Sequence, residues 1–122
     1  MTRWPLIAVS ALAAVTFSQA SSGTAESGGG LSPTEQRGLA FAEQHCSACH
    51  AVTENRPSPN PESPPFQDIA NRTGVTRTTL RQFLRDSHNY PAAMNFQIDV
   101  EQIGDLADYV ITMQKPGYQP TM

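Results

Sequence analysis

Both cysteines of the 122-residue chain fall in a single run, Cys46-Ser47-Ala48-Cys49-His50, and this run limits the possible folds more than any other feature. A helix leads into it. Ser32 can cap, Pro33 suits the first helical position and Glu35 can close a capping box. That helix carries Gly38, Phe41 and Ala42 on one face and ends at the cysteines, with no strand before them. After the motif, Pro57, Pro59, Pro61, Pro64 and Pro65 forbid helix or an internal strand, so connecting chain is expected. Residues 66–70 predict a short helix. A longer one runs from Thr76 as cap to about residue 86, with Leu80, Phe83 and Leu84 as its buried stripe and Val75 placed to staple on Leu80. Residues 88–97, broken by Pro91, read as loop. The last helix has Asp99 and Gln102 as a capping box and Ile98 as a staple for Ile103. Its apolar stripe is Ile103, Leu106, Ala107, Val110 and Met113, and Lys115-Pro116-Gly117 ends it. No stretch alternates with period two over a useful length, so the fold class is all-α.

Helices this short, with few large apolar residues, make a thin core, and small domains of that kind need a staple. A disulfide between Cys46 and Cys49 closes too small a loop to constrain the chain much. A redox-active thiol pair belongs at a helix N-terminus, where the dipole lowers the thiol pKa, whereas this pair ends a helix and has no βαβ unit around it. Structural zinc needs four ligands, and no second paired cluster accompanies these cysteines. Haem attachment accounts for the whole motif. Two intervening residues hold both thiols on one helical turn, where each can add to a vinyl group on the same porphyrin edge, and the adjacent His50 then lies under the iron.

The N-terminus gives the compartment. Arg3 provides a positive start, residues 4–17 are uncharged and mostly apolar, and Ser18-Gln19-Ala20 offers a small-x-small cleavage site. The run is shorter than the roughly 20 residues needed to span a bilayer, so residues 1–20 read as a cleaved signal peptide, without stable membrane insertion. Export to the periplasm suits covalent cysteine chemistry. Residues 21–31 are a Ser- and Gly-rich leader, residues 32–115 the folded domain and residues 116–122 a tail. The net charge is −3, Lys115 is the single lysine and the arginines are scattered, which excludes nucleic acid as a partner.

On these residues the chain resembles the small class I cytochromes c of bacterial periplasms, over residues 32–114. Beyond the haem motif, Gly38 and Phe41 match the glycine and aromatic of the family's N-terminal helix, and Tyr109 matches the aromatic of its C-terminal helix. The resemblance implies that these helices cross closely at the small residue. It further implies that the Pro64 carbonyl orients His50, that Phe66 touches haem, and that the distal ligand is a loop methionine, here Met94. The family commonly has proline directly after that methionine, but Asn95 follows here and the nearest proline is Pro91. His88 stands as a bis-histidine alternative, Met113 is claimed by the core stripe, Met122 lies at the terminus, and His45 reads as an exposed helical residue.

Iron held from both sides by protein admits no substrate, which leaves outer-sphere transfer of one electron through the haem edge. The expectation is a monomeric, non-enzymatic periplasmic carrier with one covalent haem c. It would shuttle between a donor, a dehydrogenase or the cytochrome bc complex, and an oxidase or reductase. Two alternatives stay open: a cytochrome subunit of a periplasmic dehydrogenase or oxidase complex, and a haem sensor or peroxidase-like enzyme with an open distal side.

Overall fold

A computed structural model describes residues 29–86, 90–92, 94 and 96–121. The signal segment, His88 and Met122 lie outside the described residues. Four helices follow in order: α1 (Pro33–His45), α2 (Phe66–Ala70), α3 (Arg77–Arg85) and α4 (Val100–Ile111). The described residues contain no strand, and the fold is all-α.

The helix starts follow local side-chain chemistry. At α1 the Ser32 hydroxyl accepts from the Glu35 N–H at 3.3 Å while the Ser32 N–H donates to Glu35 Oε2 at 2.6 Å, a closed capping box. At α3 the cap Thr76 is completed by Thr79, whose hydroxyl accepts the Thr76 N–H at 2.9 Å. The start of α4 differs from expectation. Asp99 is its N-cap residue with extended backbone, yet its side chain makes no capping bond. Asp99 and Gln102 are both exposed, so water competes for the groups that the box would have paired.

The crossing of α1 and α4 sets the architecture. A Cβ on Gly38 would lie 2.1 Å from the Asp105 carbonyl oxygen and 2.7 Å from Tyr109 Cβ, so the helices meet at a distance that only glycine permits. Arg37 straps the same crossing from outside, with its Nε 2.6 Å from Asp105 Oδ2. About one turn further along α4, Arg77 and Arg81 of α3 both reach Asp108 Oδ1, at 2.7 and 2.8 Å. Between these contacts sit Ala42, Ile103, Leu106, Ala107, Val110 and Met113, all buried. Met113 therefore belongs to the core, as its place in the stripe predicts.

Phe83 departs from the predicted stripe. Leu80 and Leu84 are buried, but Phe83 is 44% exposed, because it faces a cavity beside the core. The C-terminal residues fold back on the domain. Asp68 of α2, almost fully buried, accepts from the Tyr118 hydroxyl at 2.6 Å and from the Thr121 N–H and hydroxyl at 3.0 and 2.6 Å. A buried carboxylate is tolerated only when hydrogen-bonded in this way. Just before that return, Gln114 Nε2 donates to the Ala70 and Val75 carbonyls, both at 3.0 Å. This amide fixes both ends of the loop joining α2 to α3.

Candidate functional site

The site begins where α1 stops. Cys46 is the C-cap of α1, its N–H bonded to the Ala42 carbonyl at 2.8 Å. The chain then turns tightly, with the Cys49 and His50 N–H groups both donating to the Cys46 carbonyl, at 3.1 and 2.9 Å. The two cysteines form no disulfide with each other, and Cys46 is buried while Cys49 is exposed. Burial, with a smaller contribution from Cys49, pushes the Cys46 thiol up to about 11. A group held neutral in this way, at a helix C-terminus, is the opposite of an activated redox thiol.

The proline-rich segment orients the histidine. His50 Nδ1 lies 2.7 Å from the Pro64 carbonyl oxygen. A carbonyl can only accept, so Nδ1 carries the proton and Nε2 is left with its lone pair. The segment is fixed in turn by the Phe66 N–H, which donates to the Ala51 carbonyl at 2.9 Å, and by the Ser58 hydroxyl, which accepts from the Ala51 N–H at 3.0 Å. Phe66 is buried with its ring centroid 5.5 Å from that of His50. Tyr109 supports the same region from α4, donating its buried hydroxyl to the Val52 carbonyl at 2.7 Å.

Cys46, His50, Pro64, Phe66 and Met94 all line one cavity of about 550 Å³. Its remaining walls are mostly apolar, including Ile69, Leu80, Phe83, Leu84, Phe96, Ile98, Leu106 and Val110, with Arg72, Thr73 and Thr79 as the polar part. Cys49 stands outside this lining, on the exposed side of the motif turn. Met113 also stands outside it, in the core. His45 is exposed, with its ring 4.5 Å from that of Phe41. Among the described residues, no three of His, Cys, Asp and Glu come together as a group that could hold a metal ion.

Comparison with known proteins agrees with this geometry. The sequence model of the family described as Cytochrome c matches residues 35–114. The chain belongs to the cytochrome c family. It is similar to cytochrome c-552 of Bradyrhizobium diazoefficiens, 29% identical over 73 residues that cover 60% of this chain and 68% of that protein. No solved structure matches the chain. The cofactor of this cytochrome is covalently bound haem c, and the protein is an electron carrier. The cavity fits that cofactor: a planar macrocycle needs apolar walls, a thiol at the margin and an imidazole of fixed tautomer, and all three are present. No helix among the described residues is long and apolar enough to cross a membrane.

Sequence reasoning missed much of the lining. Ile69, Thr79 and Phe96 carry no motif, and Arg72 and Thr73 sit in a short connection whose position depends on Gln114, far along the chain. A signal was available for Leu80, Phe83, Leu84, Leu106 and Val110, whose helical spacing marked them as inward-facing.

Proposed function

We propose that this cytochrome is a periplasmic one-electron carrier whose single haem c is bonded through thioethers to Cys46 and Cys49 and held by His50 and Met94. The observation that carries the reading is that His50, with Nδ1 tied to the Pro64 carbonyl, lines the same apolar cavity as Met94. When bound, haem c supplies a ferric–ferrous couple. His50 presents Nε2 to the iron, and the Pro64 carbonyl fixes the ring and raises its donor strength. Phe66 packs against the haem and helps exclude water. Met94 provides a thioether, which favours the ferrous state relative to a second imidazole.

With both axial positions taken by the protein, no substrate reaches the iron, and the function is transfer rather than catalysis. The reading includes export, with residues 1–20 as a cleaved signal, residues 21–31 as a leader and residues 32–115 as the haem domain. The donor is a dehydrogenase or the cytochrome bc complex and the acceptor an oxidase or reductase. Lys115, the single lysine, is paired with Glu54 at 2.5 Å, so docking on a lysine ring has no support, and partners would meet apolar or acidic surface.

Substitution of the axial candidates tests this. Met94→Ala is expected to abolish the weak long-wavelength sulfur-to-iron band of the ferric protein, lower the reduction potential and admit carbon monoxide to the ferrous iron. His88→Ala should leave the band in place. A band and potential that survive Met94→Ala but vanish in His88→Ala would overturn the assignment.

A further inference from the structure

One wall of the cavity is formed by a loop: Pro91, Met94, Phe96 and Ile98 line it between α3 and α4. Its local bonds, Met94 N–H to the Pro91 carbonyl at 2.8 Å and Phe96 N–H to the Met94 carbonyl at 2.9 Å, fold it on itself, while Phe96 and Ile98 pack on the core at its far end. Keeping the Met94 end of such a loop in one shape costs conformational entropy. Proline after the methionine would stiffen the backbone, and this chain has Asn95 there instead.

A polar attachment near its start comes from Tyr90. Its hydroxyl donates to the Leu84 carbonyl in the last turn of α3. Carbonyls at a helix C-terminus have no partner within the helix, and Leu84 is buried, so water is a poor substitute. The Tyr90 ring also lies between two others, with centroids 5.9 Å from Phe83 and 6.3 Å from Phe96, both tilted contacts. Phe83 belongs to α3 and Phe96 to the far end of the loop, and both line the cavity. A tyrosine packed merely for its bulk would need no hydroxyl bond. Here the polar and the aromatic contacts both join the loop to the same helix end.

We propose that Tyr90 is the positioning residue of the Met94 loop, its hydroxyl latching the loop to α3 and its ring tying Phe83 to Phe96 across it. The proposal rests on the reading of Met94 as the distal ligand. Displacement of Met94 then limits the access of external ligands to the iron, and Tyr90 sets how often Met94 is displaced.

The test is carbon monoxide binding to the reduced haem protein by rapid mixing, in wild type, Tyr90→Phe, Tyr118→Phe and Met94→Ala. Losing one part-buried hydrogen bond corresponds to a population shift of up to about tenfold, so Tyr90→Phe should bind carbon monoxide roughly five- to tenfold faster. Tyr118→Phe loses a hydrogen bond to Asp68, away from the loop, and should lower the denaturant midpoint with a carbon monoxide rate within about twofold of wild type. Met94→Ala should bind fastest, and adding Tyr90→Phe to it should change nothing further. A wild-type rate in Tyr90→Phe, or an equal acceleration in Tyr118→Phe, would overturn the latch. If Met94→Ala itself keeps the slow wild-type rate, the ligand assignment fails, and amide exchange decides the latch: faster exchange at Met94 and Phe96 in Tyr90→Phe supports it and unchanged exchange refutes it.

Discussion

Tyr109 shows how one side chain joins packing to titration. Its ring fills the α1–α4 crossing beside Gly38, and its hydroxyl reaches the Val52 carbonyl two residues after His50. Burial, followed by the charges of Glu43 and Glu54, raises its pKa above the ordinary value of 10.0. A raised pKa means that the folded state disfavours ionisation, so the stabilisation is complete below the unfolded value and is lost as pH climbs through the higher folded value. Tyr90 and Tyr118 shift in the same direction, the first chiefly through burial and the second chiefly through its bond to Asp68. The cytochrome should therefore lose stability on the alkaline side, above about pH 10. Urea midpoints measured from neutral pH to about pH 11 should fall less steeply in Tyr109→Phe than in wild type, although the variant starts about 1 kcal/mol lower from the lost hydrogen bond. Parallel curves would show that Tyr109 does not contribute to the alkaline loss.

Among the elements, the crossing of α1 and α4 carries the sharpest consequence. Gly38→Ala places a methyl group against the backbone of Asp105, which cannot swing aside as a flexible side chain can. The helices must separate, at a cost expected near the upper end of the roughly 1–3 kcal/mol typical of overpacking. Breaking the exposed Arg37–Asp105 pair beside it should cost at most about 1 kcal/mol. Chemical denaturation of the two variants checks the order, and equal losses would mean that the crossing can relax. The elements were legible in the sequence because their signals are short-range: Ser32 and Glu35 sit three residues apart, and the α4 stripe repeats at helical spacing. The Cys46 to His50 motif was legible for the same reason. Asp68 was not, because its donors Tyr118 and Thr121 come from 50 and 53 residues away. The Tyr90 bridge was equally hidden, since its partners stand on both sides of a loop without periodicity. Phe83 followed the stripe but faces the cavity, and helical spacing cannot tell a core face from a cofactor face.

For the whole molecule, the cavity decides stability. Its lining draws on α2, α3, α4 and the three connections between the helices, so the residues around it pack against a common centre that the protein chain does not fill. On the proposed reading haem c would supply that centre, and ligand binding to the native state alone shifts the folding equilibrium toward it. Protein produced without haem is expected to be largely unfolded, with weak helical circular dichroism and little amide protection, as thin cores without a staple are. A cooperative, well-protected apo form would contradict this.

The pairing of α1 with α4 also orders events in time. Arg37 and Asp105 are 68 residues apart in the chain, so the first helix waits for nearly the whole domain to emerge before its main partner exists. Until then the Cys46 to His50 run is the unprotected end of an unpaired helix, open to whatever delivers haem. Contacts between distant segments form late, because closing a long loop costs entropy before it returns any packing. On the proposed attachment at Cys46 and Cys49, bonding would precede closure, and the last helix would seal a cofactor already held just beyond the first.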